Sequence, residues 1–543
     1  MIRLTGKNLL DSKISMRYER DFVSKVLEYC DGDSRKVLVL QGLRRTGKTY
    51  GMVQAIRHLV DRYGDESCAF ITCGIKDSMD DLYQCLEEFR DTKVRYIFVD
   101  EITFIRDFMN QAYDLANGFT YMGFKIVIAG TYSFAFNLAS KDSLYDRCEF
   151  VNTSNISFKE FQKITGSESV QDFIKFGGLL HEGSVGNPFT ERGFYLLDGI
   201  REYVDTAVVE NLVNSLIHYK DGWYGLGYTE NEMHQMIRSY VYSVVIDRLH
   251  RQVDGAMKYF DSLDANTAIN NLVRRKELVR EAGQRLKEEI SQEFQNVFRV
   301  QPDMKCPPIL RRGIEDGLTI TGVLYPAFIS QVTDEGFYKD SGLFRILNPI
   351  ILRTSISDCL VSILNQLDAD LEVIDAVKQV CDGNILEEVI RYEMMLAYDY
   401  GNVFTLQSLV DRCQGEIDLC AVKDGVINLY EVKNSSKMEA AQAKHLLNSD
   451  VIRILSERYS VRDRVVLYNG RDNEIILKDA SGCDVLVKYR NISQFLSKLE
   501  YETGSLNSRY LGVTSRAGVR SESGFESGSG LRSDGYENTN SFR

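Results

Sequence analysis

The chain has 543 residues, 44% hydrophobic and 26% charged, which is too long for a single core and suits roughly three or four folded domains. A net charge of −13 excludes a surface that coats nucleic acid throughout, although a local basic groove stays open. Eleven cysteines and six histidines, dispersed without C-x-x-C pairs, exclude a disulfide framework and a zinc-finger spacing, and fit reduced thiols in a cytoplasm. No stretch resembles a signal peptide and no run approaches the ~18 apolar residues of a membrane span, so a cytoplasmic protein without a membrane partner is expected.

Residues 1–35 read as a lead-in with the helical segment RYERDFVSKVLEYC. Lys36–Thr49, KVLVLQGLRRTGKT, is an apolar strand running into the G-x-x-x-x-G-K-[ST] phosphate-loop pattern, with the helical stretch YGMVQAIRHLVDRY after it. Glycines let consecutive N–H groups turn inward toward phosphates, so Gly42, Arg44, Arg45, Thr46, Gly47, Lys48, Thr49 and Tyr50 are candidates for binding ATP. Lys48 would reach the terminal phosphates and the Thr49 hydroxyl would ligate Mg²⁺. The plainer alternative is a glycine-rich turn between strand and helix. Downstream, CAFITC, DDLYQCLEEFR, YIFVD, FIRDFMNQAYDLAN and KIVIAG alternate strand and helix, which indicates a parallel sheet covered on both faces across 36–165.

YIFVD ends in Asp100 and Glu101, the hydrophobic-run-then-D-E pattern of a Walker B segment. Asp100 would hold Mg²⁺ opposite Thr49, and Glu101 would act as general base toward water. After KIVIAG, Thr131 is the candidate γ-phosphate sensor and Ser133 the alternative. Helical periodicity then dominates residues 166–235 as a lid and continues into 236–375, where TGVLYPAFI and LNPIIL suggest a small helix-plus-hairpin unit. Residues 376–502 return to α/β. NILEEVIRYEMMLAY leads to the strands NVFTLQ, EIDLCAV and VINLYEV, the helix KMEAAQAKHLL and the strand RVVLYN. Alternation puts Glu431 and Lys433 on one face, and hairpin pairing brings Asp418 beside them. Two carboxylates and a lysine there would bind Mg²⁺ through Asp418 and Glu431 and act on a phosphodiester with Lys433, with Glu387 as a further acid. Ordinary salt bridging of these groups is the alternative. The Ser/Gly-rich stretch 503–543 reads as a disordered tail.

GLRRTGKT, FVDEITF, IAGTYSFAF, SLYDRCEFVNTSNISFKEF and YVDTAVVENLV, in that order, resemble the prokaryotic archaeal-type AAA+ P-loop ATPases. The resemblance matches Arg44 to an arginine inside the phosphate loop and Arg147 to one just after the sensor strand. It implies a contact from Arg147 to a γ-phosphate in cis or from a neighbouring subunit of a homo-oligomer. Pairing with Asp146, or capping of a helix C-terminus, is the other reading of Arg147. The chain departs from many relatives in carrying Asn155 where they have proline, before the block Ser157, Phe158, Glu160, Phe161. EID-x₁₂-EVK, with Gly383 and Glu387 upstream, resembles a PD-(D/E)-x-K nuclease core and the C-terminal domain of unknown function that usually follows this ATPase type. The resemblance also implies a winged-helix-like unit within 236–375. Together these readings point to an Mg²⁺-dependent ATPase coupled to a nuclease-like domain acting on DNA or RNA. The alternative is an ATP-dependent switch or scaffold whose nuclease-like domain is inactive.

Overall fold

The computed structural model describes residues 1–5, 18–141, 143–153, 156–180, 199, 202–218, 228–262, 269–298, 306–339, 343–346, 352–398, 401–410 and 415–500. The expected tail at 503–543 and Asn155 lie outside these residues.

The first unit is a six-stranded sheet in the order β1-β3-β4-β5-β2-β6. Its strands are β1 (Ile2–Thr5), β2 (Val37–Gln41), β3 (Cys68–Thr72), β4 (Tyr96–Asp100), β5 (Lys125–Ala129) and β6 (Cys148–Asn152). All pairings are parallel except β1 with β3. Every residue of β2, β4 and β5 is buried, which is why these strands read as unbroken apolar runs. Alternate residues feed two cores. Leu38, Leu40, Phe98 and Val127 pack under α1 (Val23–Asp31) and α2 (Lys48–Tyr63), while Val37, Val39, Val99 and Ile128 face the opposite layer. Placing β5 between β2 and β4 sets three strand ends side by side, where Gly42, Asp100 and Gly130 follow or end the strands.

Further helices are α3 (Met79–Glu87), α4 (Ser133–Ser140), α5 (Phe158–Thr165), α6 (Glu210–His218), α7 (Glu230–Ser262), α8 (Ile269–Phe298), α9 (Pro308–Ile320) and α10 (Leu371–Ala397). A second sheet of nine strands contains β7 (Leu324–Thr333), β8 (Gly336–Lys339), β9 (Leu343–Ile346), β10 (Val403–Ser408), β11 (Gly415–Lys423), β12 (Val426–Lys433), β13 (Ser460–Tyr468), β14 (Asn473–Lys478) and β15 (Asp484–Asn491). Its order is β14-β15-β13-β12-β11-β10-β7-β8, with β9 on β7, and the short helix α11 (Ile492–Lys498) follows β15. One apolar cluster runs from Val37 and Val99, through Leu212, Ile237 and Ile314, to Leu419 and Val432 on the second sheet. The two sheets therefore share a continuous buried core.

Several expectations are corrected. The boundary set at 235/236 falls inside the 33-residue helix α7, and the one at 375/376 falls inside the 27-residue helix α10. A winged-helix-like unit is expected within 236–375. That stretch is built on two long helices, and its β7–β8 hairpin is absorbed into the second sheet by the parallel pairing of Phe328–Val332 with β10. FIRDFMNQAYDLAN is not one helix: it follows a 3₁₀ turn at Ile102–Phe104, holds a four-residue helix at Phe108–Gln111 and ends in a π-helical turn at Leu115–Phe119. KMEAAQAKHLL is a 3₁₀ run at Ala440–Leu447.

Gly317 of α9 marks a close helix crossing. A Cβ there would lie 2.2 Å from Leu212 Cδ2 and 3.2 Å from the Phe134 ring. In an exposed helix Gly→Ala stabilises by about 1 kcal/mol, so the sign should reverse here. Gly317→Ala is expected to lower the denaturant midpoint by the equivalent of ~1–3 kcal/mol, the usual cost of overpacking.

Candidate nucleotide and carboxylate sites

The loop after β2 takes its shape from two residues with positive φ, Arg45 at 64° and Gly47 at 75°. Gly42 cannot carry a side chain, because a Cβ would sit 2.4 Å from Thr153 Oγ1. The loop is fastened from several sides. Leu180 N donates to the Arg45 carbonyl at 2.7 Å, Tyr203 OH to the Arg44 carbonyl at 3.0 Å, and Thr46 Oγ1 lies 2.9 Å from Thr153 Oγ1. Lys48 Nζ donates to the Gly42 and Leu43 carbonyls, both at 2.8 Å. Burial lowers its pKa to about 8 against the pull of Glu101 and Asp100. Arg44, Arg45 and Thr49 are exposed along the loop, and Tyr50 is half-buried one residue into α2.

Thr49 Oγ1 donates to Asp100 Oδ2 at 2.6 Å. Asp100 Oδ1 accepts from the Glu101 amide at 3.0 Å, and Glu101 adopts a positive φ of 57°. Both Glu101 carboxylate oxygens are engaged by Thr131. Its amide donates to Oε2 and its hydroxyl to Oε1, each at 2.9 Å. Burial, and then the Asp100 charge, raise the Glu101 pKa, partly offset by the Thr131 bonds. Lys48, Thr49, Asp100, Glu101 and Thr131 thus converge at one end of the sheet. A hydroxyl and a carboxylate 2.6 Å apart, below an exposed loop with two glycines, are a donor set that fits an Mg²⁺–triphosphate.

Two expected residues do not join them. Ser133 Oγ accepts from Asn211 Nδ2 at 3.1 Å and is fully buried, so it fastens α4 to α6. Arg147 is held at the opposite end of the sheet, its carbonyl accepting from Val37 N at 2.9 Å at the start of β2. A five-residue strand spans roughly 15 Å, which separates Arg147 from the loop at the far end. Its Nε donates to Asn117 Oδ1 at 2.9 Å, and its guanidinium lies 4.9 Å from the Tyr113 ring centre. A cis contact from Arg147 to a bound phosphate is therefore excluded by geometry. Asp146 pairs with Lys36 instead.

The element that sequence reasoning missed is Arg20. It is 3% exposed, bonds the Thr46 carbonyl through Nη1, and pairs with Glu160 at 2.6 Å. Glu160 also accepts from Asp21 N at 2.9 Å. Ser157 caps α5 by accepting from Glu160 N at 3.2 Å, so a Ser-x-x-Glu pattern that looks like a local capping box sends its glutamate side chain to a distant arginine.

In the second sheet, Lys433 Nζ bonds Asp418 Oδ2 at 3.2 Å and Glu431 Oε2 at 2.6 Å. Asp418 Oδ2 also accepts from Val432 N at 2.7 Å. Glu431 is 1% exposed, and burial followed by the Asp418 charge raises its pKa. Burial of the lysine is outweighed by Asp418 and Glu431, which raise its pKa. The expected triad is thus assembled. Glu431 Oε1 is buried and accepts no hydrogen bond, so it has lone pairs for a cation, with Asp418 as the second carboxylate. Glu387 is withdrawn from this set by its ion pair with Arg391. Among the described residues no group of three or more acids, histidines or cysteines could hold a metal.

Residues 34–162 match the family model described as AAA domain. The matched span holds Gly42–Thr49, Asp100, Glu101, Thr131, Arg147 and Glu160. A search of the curated proteins finds no match. Among solved structures, a closed-state cryo-EM reconstruction of Hsp104 with ATPγS and FITC casein aligns over 61% of this chain and 55% of that chain, with 10% identity and a TM-score of 0.27. The chain spans about half the length of that structure, and a likeness this low carries no argument. Among the described residues no helix is long and apolar enough to cross a membrane.

Arg20→Met would leave Glu160 buried without its cation, which costs about 3–5 kcal/mol and is read from the denaturant midpoint. Burial pushes the Glu160 carboxyl up, but Arg20 outweighs it and the net pKa is lowered. The stability this group contributes is present above its unfolded pKa and lost as pH falls through the depressed folded value. In Arg20→Met the acid-unfolding midpoint is expected at higher pH than in the wild type.

Proposed function

We propose that the chain is an Mg²⁺-dependent ATPase, with Lys48, Thr49, Asp100, Glu101 and Thr131 as its hydrolysis site. The observation that carries this reading is the Thr49–Asp100 contact of 2.6 Å with Glu101 next in sequence and held by Thr131. Bound Mg²⁺ would offset charge on the phosphate oxygens. Lys48 would exchange the Gly42 and Leu43 carbonyls for phosphate oxygens, and loop amides and exposed Arg44 and Arg45 would surround the remaining charge. Glu101 would accept the proton of the attacking water, and Thr131 would hold its carboxylate in place. Arg147 would act only from a neighbouring copy.

The C-terminal centre is proposed as a nuclease-like effector for DNA or RNA, with Asp418 and Glu431 binding the metal and Lys433 stabilising the developing charge. A second reading, a switch or scaffold with an inactive centre, is favoured by one observation. Lys433 bridges both carboxylates and Glu387 is committed to Arg391, so the cluster closes on itself as ion pairs. Metal-dependent nicking of end-labelled DNA or RNA, lost in Asp418→Ala and Lys433→Ala, supports the first; absence of cleavage on every nucleic-acid form supports the second.

Lys48→Ala is expected to abolish ATP binding in a fluorescence titration. Glu101→Gln is expected to bind ATP and hydrolyse it about 10²–10⁴-fold more slowly, the usual worth of a general base. Unchanged turnover in both would contradict the assignment. The pH profile gives a further check. Glu101 works as the anion, and its raised pKa in the free protein places the acid limb of kcat/KM above that of an ordinary glutamate. Thr131→Val removes a bond to that anion and should move the limb to still higher pH.

A further inference from the structure

The ladder between β10 and β11 slips where it passes Asp418. Phe404 pairs with Cys420 but Leu406 pairs with Ile417, so two residues of β11, Asp418 and Leu419, face the single residue Thr405. Such a bulge re-aims a side chain and leaves backbone groups outside the ladder. Here the displaced Asp418 carbonyl is served by side chains, accepting from Thr405 Oγ1 at 3.2 Å and Arg391 Nη2 at 3.4 Å. Arg391 Nη1 in turn donates to Thr405 Oγ1 at 2.6 Å. Arg391 is 1% exposed, so water does not substitute for it.

Two residues further along the same helix, and so about 200° around it, stands Glu393. It is fully buried, and its Oε1 accepts from Phe158 N at 3.1 Å, at the first turn of α5. Glu160 on that turn holds Arg20, and Arg20 bonds the Thr46 carbonyl of the phosphate loop. The far side of α5 is also tied to the second unit, with Ser497 Oγ donating to Gln162 Oε1 at 2.9 Å.

We propose that Arg391 is the positioning residue of the Asp418/Glu431/Lys433 centre, and that Glu393 on the same helix places this centre under the control of nucleotide at the phosphate loop, through α5, Glu160 and Arg20. The proposal rests on reading Gly42–Thr49 as the nucleotide site. Each joint is a paired, buried polar group with no solvent alternative, so a shift of the loop that moves Arg20 moves α5 or breaks a bond. Helix α10 carries both ends of the last step on opposite faces. A nucleotide that draws in the loop thereby tightens or loosens the bulge that aims Asp418.

The test is hydrogen exchange on the full chain with and without ATPγS and Mg²⁺, with binding of a fluorescent ATP analogue followed in the same preparations. The reporter is the Val432 amide, which is bonded to Asp418 Oδ2. In the wild type its exchange should change by about tenfold on nucleotide binding, within the ordinary range of coupling between sites. Glu393→Met should bind nucleotide with affinity within about threefold of wild type and lose the Val432 response, since only the coupling is removed. Thr405→Val keeps the side-chain volume and leaves α5 untouched. It should raise Val432 exchange without nucleotide and leave nucleotide affinity unchanged, and it decides the positioning role if Glu393→Met does not fold. A wild-type protein that binds nucleotide with no change at Val432 overturns the proposal, as does an undiminished response in Glu393→Met or unaltered exchange in Thr405→Val. Failure of the wild type to bind nucleotide overturns the phosphate-loop reading itself, and the two failures are thus distinguished.

Discussion

The ion pair between Arg20 and Glu160 is the constraint on which the phosphate-loop end of the molecule depends. Both groups are out of water, so neither is tolerable alone, and their pairing fixes three segments far apart in the chain. Arg20 brings the N-terminal segment under the loop and bonds the Thr46 carbonyl, a backbone group that a curled loop would otherwise leave unsatisfied. Glu160 brings helix α5 to the same point. Thr46 is buried behind the loop, whereas the side chains of Arg44, Arg45 and Thr49 are exposed along it.

Both sites exploit places where regular secondary structure runs out. At the first, three parallel strands end together, and the polar side chains at and beyond those ends, Asp100, Glu101 and Thr131, bond one another and Thr49 at the start of α2. At the second, a bulge in β11 turns Asp418 toward Lys433 and leaves its carbonyl to Thr405 and Arg391. Helix α10 is buried on nearly every side in its last three turns, which is the reason it carries Glu388, Arg391 and Glu393 without exposing any of them. Burying so many charges is costly unless each finds a partner: Arg391 pairs with Glu387 inside α10, while Glu388 accepts from Tyr325 OH and Glu393 from the Phe158 amide.

How much of this was legible varies with the physics of each element. Strands β2 to β5 were readable because burial on both faces leaves unbroken apolar runs. Edge strands gave little signal. Strand β1 and the β14–β15 hairpin alternate with exposed residues, and Ile476 faces solvent on the outermost strand. The phosphate loop and the Asp418/Glu431/Lys433 cluster were legible because they are local in sequence or separated by one turn. Arg20 was not, because its partner lies 140 residues away and an arginine in a polar lead-in looks like any other. Arg147 was carried over by likeness of sequence alone, and a likeness of that kind does not fix which end of a strand the residue occupies. The bulge at Asp418 depends on pairing register, which composition does not reveal.

On the proposed reading, the phosphate loop hydrolyses ATP and its state is felt at the carboxylate centre. The most direct measurement is phosphate release by the full chain with Mg²⁺ and ATP, with and without end-labelled DNA or RNA that is monitored for cleavage in the same reaction. Mg²⁺-dependent release whose rate changes when nucleic acid is present is the expected result. Absence of release under every condition would contradict it.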